Sequence, residues 1–139
     1  MAITQAFTTS AKAELLGAIH DFDTDTFKMA LYTSAATLSA ATTAYSTTNE
    51  VTGTGYSAGG ATLSGGTIAT SGTGAYATFN SPVWAASTIT ARGALIYNSS
   101  KSNRAVCVLD FGADKVTAAT NFSVIMPVAT LATALIQVA

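Results

Sequence analysis

Charged side chains are scarce in this sequence. Asp, Glu, Lys and Arg make up 9% of its 139 residues, against roughly 25% in an average soluble domain. The hydrophobic fraction is 49%, and Ala, Thr, Ser and Gly take the positions that charges normally occupy. Because so little charge solvates the surface, we expect much of it to be covered by further copies of the chain or by another protein.

Basic residues are also too few for a nucleic-acid interface. The net charge is −1, and the six Lys and Arg residues are scattered along the chain. Neutralising a phosphate backbone takes a cluster of Lys and Arg on one face. We therefore expect no nucleic-acid partner.

The single cysteine, Cys107, excludes an intramolecular disulfide. It lies in the apolar stretch "RAVCVLDFG", where we expect a strand with a buried, inert thiol. The opening "MAITQAFTTSAKAELL" lacks the basic and apolar segments of a signal peptide. Residues 122–139 carry no charge, but Pro127 and several polar residues interrupt them, so we expect two strands there and no membrane anchor.

Residues for catalysis are also missing. His20 is the only histidine, and we expect it at the end of a helix, where the helix dipole favours a positive charge. No nucleophile motif accompanies it, and one His with one Cys does not make a structural zinc site. We therefore expect no catalytic residue, no cofactor, no metal site and no enzyme.

Two short motifs resemble ligand-binding loops. "TGTGYSAGG", residues 52–60, lacks the Lys-Ser/Thr ending of a phosphate loop and any following helix pattern, so its glycines predict a close approach between backbones. Asp21, Asp23 and Asp25 alternate as in a calcium loop, but Thr26 and Tyr32 replace its Gly and Glu. Two interpretations stay open for these aspartates: a weak cation site or a polar turn.

The chain has one good helix pattern, "TTSAKAELLGAIHD". We expect Thr9 or Ser10 to cap it and Leu15, Leu16 and Ile19 to share an apolar side. "TFKMALYT" follows with the period-two pattern of a half-buried strand, and residues 33–48 predict a long surface loop.

Short strands and Gly/Ser turns fill the rest of the chain. Strands are expected in "GYSAGGATL", "TIAT", "AYATFN", "ITARGALIYN", "RAVCVLDF", "TNFSVIM" and "LIQV". Together these patterns predict a mainly β fold, an antiparallel β-sandwich or small barrel of about seven to eight strands. One domain spans residues 1–139, with an N-terminal arm and the helix.

Twelve apolar residues are expected to supply most of the core. Because side chains alternate along a strand, Leu95 and Ile96 must face opposite ways, as must Val108 and Leu109. One of each pair then points into a second layer or an intersubunit surface. The set is Phe27, Met29, Leu31, Leu95, Ile96, Val106, Val108, Leu109, Phe111, Phe122, Val124 and Ile125.

The aromatic residues leave two interpretations open. Tyr32, Tyr45, Tyr56, Tyr76, Tyr97 and Trp84 can line a sugar-binding face, or they can fill a core or an interface. For self-association we expect "AITQAF", the loop at 33–55, or both to be used, with Arg92 paired to Glu50 or Asp110. The predicted interface residues are Ile3, Phe7, Tyr45, Glu50, Tyr56 and Arg92.

Several phrases of the chain resemble a family of small structural proteins of tailed bacteriophages. They are "TFKMALYTSAATLSAATTAYSTTNEVTGTGYSAGGATL", "ARGALIYNSS" and "VLDFG", together with the opening "AITQAF" and the closing strand pair. The resemblance covers nearly the whole chain but contains no motif with an assigned role.

The resemblance implies a virion component assembled in the host cytoplasm, with a capsid decoration or cement role as the first expectation. Its partners would be the major capsid protein or other virion proteins, and copies of itself in a dimer or trimer, with neither nucleic acid nor membrane. A tail or fibre component that binds carbohydrate or the host is the alternative.

Overall fold

The computed structural model of the chain describes residues 2–130 and 132–138. Helix α1 spans Thr9–Leu16, and a 3₁₀ turn spans Ser99–Lys101. The ten strands are β1 Ala6–Phe7, β2 Phe27–Tyr32, β3 Ala61–Thr62, β4 Thr67–Ser71, β5 Gly74–Thr78, β6 Val83–Ser87, β7 Thr90–Asn98, β8 Arg104–Val116, β9 Thr120–Ser123 and β10 Ile136–Val138.

The strands form three antiparallel sheets. A five-stranded sheet has the order β1-β8-β7-β2-β3, a three-stranded sheet the order β10-β5-β4, and a ribbon pairs β6 with β9. This mainly β architecture with one helix confirms the predicted fold class. The sheets of the described residues do not close into a barrel, so the sandwich is the better of the two predicted forms.

The main core lies between the five-stranded sheet and the two smaller sheets. Met29 and Ile96 come from the large sheet, and Ala77, Trp84 and Phe122 come from the small ones. Burying a side chain as large as Met29, Ile96 or Phe122 contributes roughly 1.5–3 kcal/mol.

A second core covers the opposite face of the five-stranded sheet. Leu95 and Val108 pack there beneath Leu38 and Tyr45 of the loop at 33–48. The predicted division of Leu95 from Ile96 is therefore confirmed, and the chain's own loop supplies the second layer. The expectation of a half-buried β2 is wrong for the same reason, because Ala30 is buried as well.

A β-bulge alters the alternation in β8. The register shifts between Ile96, opposite Cys107, and Tyr97, opposite Ala105. Val106 is the extra residue, and both Val106 and Cys107 belong to the main core. A bulge bends its strand and changes the direction of a side chain, so that two consecutive residues can face the same core.

The predicted core set is mostly buried. Leu109 and Phe111 are partly buried against the main core. Ile125 is wrong, because 79% of it is exposed. Val124 and Met126 on either side of Ile125 are buried, so the chain turns Ile125 outward. The other nine, Phe27, Met29, Leu31, Leu95, Ile96, Val106, Val108, Phe122 and Val124, are buried.

The helix is shorter than predicted and is capped one residue earlier. The Thr8 side chain, fully buried, accepts a hydrogen bond from the Ala11 N–H at 3.3 Å, so the expected caps Thr9 and Ser10 were wrong. Gly17 ends the helix. Leu16 is 91% exposed, and it therefore does not belong to an apolar side.

The glycine-rich segment behaves as a close approach, as predicted. Gly60 has φ +75°, and a Cβ there would overlap the Met29 carbonyl. Only Ala61–Thr62 of the strand expected in this region forms.

The short strands β1 and β6 were missed, and β1 shows that the N-terminal segment is paired with β8 and is not a free arm.

The uncharged C-terminal stretch contains the two predicted strands. β9 pairs with β6, and β10 pairs with β5, so they lie in different sheets. Among the described residues, no helix has the length and apolar character needed to cross a membrane.

Candidate assembly surface

A buried carboxylate fastens the loop that follows β2. Glu50 is 8% exposed. It accepts hydrogen bonds from the Tyr45 hydroxyl at 2.7 Å, the Tyr56 hydroxyl at 2.6 Å and the Gly59 N–H at 2.7 Å. No Lys or Arg pairs with Glu50 in the part of the chain that the structure describes. Three charge-assisted hydrogen bonds replace the water that burial removes.

The same tyrosines tie the loop to the five-stranded sheet. The Tyr56 hydroxyl accepts a hydrogen bond from the Leu31 N–H at 2.9 Å, and the Tyr97 hydroxyl donates to the Gly59 carbonyl at 2.7 Å. The Tyr45 ring stacks on the Tyr97 ring with centroids 4.7 Å apart. We call Tyr45, Glu50, Tyr56, Gly59 and Tyr97 the Glu50 cluster.

The cluster makes its phenols hard to ionise. Burial is the first cause that raises the pKa of Tyr45, Tyr56 and Tyr97 above the ordinary value of 10.0. The Glu50 carboxylate raises each pKa further, because a phenolate beside it would be repelled. The hydroxyls therefore remain donors at neutral pH, as the geometry requires.

The predicted interface residues thus have internal partners. Ile3 lies beside Leu38 in a parallel bridge, and half-buried Phe7 packs against the main core. Tyr45, Glu50 and Tyr56 belong to the Glu50 cluster. Whether any of these residues also contacts a partner stays a prediction.

Arg92 pairs with neither of its expected partners within the chain. Its guanidinium lies 3.3 Å from the Asp114 carboxylate, with side chains 38% and 47% exposed. Within the chain Asp114 is the partner, because a bulge in β8 between Asp110 and Lys115 brings it toward β7. Pairing of Arg92 with Glu50 or Asp110 of another copy stays a prediction. An ion pair this exposed contributes at most about 1 kcal/mol.

The aromatic residues named for a sugar-binding face are mostly engaged elsewhere. Trp84 is buried in the main core. Tyr32 is 1% exposed and donates to the Ser46 carbonyl at 2.6 Å. With Tyr45, Tyr56 and Tyr97 in the Glu50 cluster, Tyr76 alone lies outside these contacts. This placement favours the interpretation of a core over that of a sugar-binding face.

A second polar network holds the only histidine. His20 is 6% exposed and lies beyond the end of α1, so the expected stabilisation by the helix dipole was wrong. Its Nε2 is 3.3 Å from Glu14, and its Nδ1 is 3.0 Å from the Asn98 amide. Arg104 also donates to Glu14. These partners include no hydroxyl or thiol that could serve as a nucleophile.

The acidic turn before β2 belongs to this network. Asp21 accepts hydrogen bonds from the N–H groups of Asp23 and Thr24, as a polar turn requires. Asp25 accepts from the Asn98 amide at 2.7 Å and lies 3.8 Å from the Lys101 ammonium. Within residues 2–130 and 132–138, no group of three His, Cys, Asp or Glu residues could hold a metal ion.

Charge is absent from two long stretches of the chain. No charged residue occurs between Glu50 and Arg92 or after Lys115. Strands β4, β5, β6, β9 and β10 therefore carry none. We call the two sheets they form the uncharged layer.

Exposed apolar side chains concentrate in and beside the uncharged layer. Seven large hydrophobic residues are more than half exposed among those described, and the one outside the two uncharged stretches is Leu16. The other six, all in the two uncharged stretches, are Ile68, Val83, Val116, Ile125, Val128 and Val138.

Two of these residues, Val116 and Ile125, line an open cleft. Its volume is about 430 Å³, and Phe111, Val116, Phe122 and Ile125 supply its apolar lining. Lys115 is the one charged residue among the described lining. We call this cleft the Ile125 cleft. Sequence reasoning missed the uncharged layer, although the uncharged intervals at 51–91 and after Lys115 were visible signs of it.

Comparison with known proteins provides no relatives. No protein-family model, no curated protein and no solved structure gives a significant match to the chain. The class of the protein therefore rests on its sequence phrases and on the surface just described.

Proposed function

We propose that this chain is a structural protein of a tailed-bacteriophage virion, a capsid decoration or cement protein that binds through its uncharged layer. The observation that carries the proposal is the concentration of six exposed apolar residues where the chain has no charge. Charged residues are depleted at the centre of protein interfaces, because covering them removes their hydration. The resemblance to phage structural proteins supplies the class of partner.

The internal networks support the same role. The Glu50 cluster holds the loop at 33–60, and β1 holds the N-terminal segment to β8. A surface whose loops are already ordered loses less conformational entropy when it binds. We therefore assign binding to a preformed face, with the major capsid protein or another virion protein as partner and the virion as the location.

Co-sedimentation with undecorated capsids tests this proposal. Ile125→Asp places a charge in the Ile125 cleft at a side chain that is already 79% exposed, so the fold should tolerate it. We expect it to reduce binding at least tenfold, since removing the hydration of the new carboxylate costs more than about 1.4 kcal/mol. Leu16→Asp makes the same change at a 91% exposed position in α1, outside the uncharged stretches, and should bind like the unmodified protein.

Two results would count against this role. Equal capsid binding by both variants would remove the Ile125 cleft from the interface. Failure of the unmodified protein to bind capsids, with gold-labelled protein found on tails, would replace the decoration role by the tail or fibre alternative.

A further inference from the structure

Strand β4 is an open sheet edge without the usual protection. It is the outer strand of the β10-β5-β4 sheet, and four of its five residues are exposed. Its sequence, TIATS, contains neither a charge nor a proline. Natural proteins usually block such an edge with Lys, Pro, a bulge or a covering segment, because its free N–H and C=O groups can pair with another strand.

The hairpin register shows which backbone groups are free. The two-residue turn at 72–73 closes on the pair Ser71 and Gly74. Hydrogen-bonded and non-hydrogen-bonded pairs alternate in an antiparallel ladder, so Thr67, Ala69 and Ser71 bond to β5. The N–H and C=O groups of Ile68 and Thr70 then point away from the sheet. No turn, loop or side-chain hydrogen bond reaches these groups within the described chain.

We propose that β4 pairs antiparallel with β4 of a second copy of this chain, about a two-fold axis at Ala69. In this register, Ile68 of each copy lies opposite Thr70 of the other, and each pair exchanges two hydrogen bonds. All the outward groups of Ile68 and Thr70 are then satisfied. The two three-stranded sheets join into one sheet of six strands, and the two Ala69 side chains face each other across the axis.

Three features favour a second copy of the chain as the partner of the open β4 edge. The register is symmetric, as a two-fold interface requires. No charge on β4, β5 or β10 repels an identical copy. The Ile68 side chain, 54% exposed, lies over a small apolar groove that includes Leu15, Phe22 and Ile136, and the second copy would cover its open rim.

This interface is distinct from the Ile125 cleft and does not depend on capsid binding. It is small compared with the roughly 800 Å² per partner of a standard interface. We therefore expect dissociation constants of about 10–100 μM in solution, with pairing favoured further wherever copies are held close together.

Charged substitutions at Ala69, which lies on the proposed two-fold axis, test the pairing of β4 with β4 of a second copy. Ala69→Lys and Ala69→Glu each place two like charges on facing side chains, roughly 4.5–5.5 Å apart between Cβ atoms. Sedimentation velocity at about 10–500 μM, a range that spans the expected constants, should show a dimer for the unmodified protein and a monomer for each variant. An equimolar mixture of the two variants should form a heterodimer. Thr73→Lys, in the exposed turn of the same hairpin, adds the same charge away from the axis and should dimerise normally.

Hydrogen exchange supplies a readout at single residues. The amide protons of Ile68 and Thr70 should become protected as the protein concentration rises, whereas that of Ala69 should stay protected throughout. A monomeric unmodified protein over the whole range would overturn the proposal, and so would a dimer that Ala69→Lys leaves intact. Loss of pairing in the single variants without recovery in the mixture would overturn the two-fold register.

Discussion

The Tyr56 hydroxyl donates a 2.6 Å hydrogen bond to Glu50, a carboxylate that is 8% exposed and has no cationic partner among the described residues. Neutral donors alone therefore solvate this buried charge. They come from Tyr45, Tyr56 and Gly59. The arrangement closes the loop at 33–60 onto the sheet without adding charge to the surface.

Replacing the buried carboxylate should destabilise the fold. Glu50→Gln substitutes an amide NH₂ for one acceptor oxygen, so at least one donor loses its partner. We expect the free energy of unfolding, measured in urea, to fall by about 1–3 kcal/mol. Tyr45→Phe removes one donor and leaves both bonds to Oε1, so it should cost about 0.5–1.5 kcal/mol. A loss below about 0.5 kcal/mol for Glu50→Gln would show that the cluster does not fasten the loop.

High pH should weaken the same cluster. The pKa values of Tyr45 and Tyr56 are raised above 10.0 in the folded protein, by burial first and then by Glu50. A raised folded-state pKa contributes stability that is present below pH 10 and is lost as the pH rises through the folded-state value. Phenolate absorbance from these two tyrosines should therefore appear only above the ordinary pKa of 10.0, in a step that coincides with unfolding. A single step at the ordinary pKa would contradict the structure.

Low pH should weaken the network around His20. Burial alone would raise the pKa of Glu14, but hydrogen bonds from Arg104 and His20 outweigh it and hold the pKa below the ordinary value of 4.5. The resulting stability is present above pH 4.5 and is lost as the pH falls through the lower folded-state value. Glu14→Gln should flatten this acid loss in urea titrations. Asp23→Asn, at an exposed carboxylate of the adjacent turn, serves as the control and should leave the loss steeper than Glu14→Gln does.

Substituting Gly60 and Gly72 by Ala distinguishes the cost of a left-handed backbone from the cost of steric overlap. Gly60 and Gly72 both have positive φ, +75° and +59°, but only at Gly60 would a Cβ meet other atoms, those of Met29 and Ala30. Gly72→Ala should cost about 1–2 kcal/mol for the left-handed backbone alone. Gly60→Ala should cost more than about 3 kcal/mol, because β2 must move as well. Equal thermal stability of the two variants would argue against the close approach.

The only thiol should be protected from alkylation. Cys107 is 4% exposed, and burial raises its pKa to about 12. Since the thiolate is the reactive form, iodoacetamide at neutral pH should label the folded protein far more slowly than the urea-unfolded protein. A rate in the folded state within tenfold of the unfolded rate would mean that β8 opens often.

Local patterns in the sequence were enough to predict the elements that depend on local physics. The period-two pattern of Phe27, Met29 and Leu31 predicted a strand with one face in the core, and that strand forms. The mainly β class, the strands on either side of Ser99–Lys101 and the buried thiol were also predicted. In each case neighbouring residues carry the information, because alternation and turn chemistry act over a few residues.

Long-range contacts decided the rest. Ala30 and Tyr32 are buried because the loop at 33–48 folds back over the sheet and covers them. The periodicity of β2 alone does not predict that this loop covers its second face. Glu50 was predicted as an interface residue and a possible partner of Arg92, and only the fold brings Tyr45, Tyr56 and Gly59 around it.

Ile125 resembled a core residue, yet its neighbours Val124 and Met126 take the inward positions. The sequence by itself determined that charge would be absent from residues 51–91 and from the end of the chain. Tertiary structure alone placed those two stretches together as one layer, because strand pairing between β5 and β10 and between β6 and β9 joins segments that are far apart along the chain.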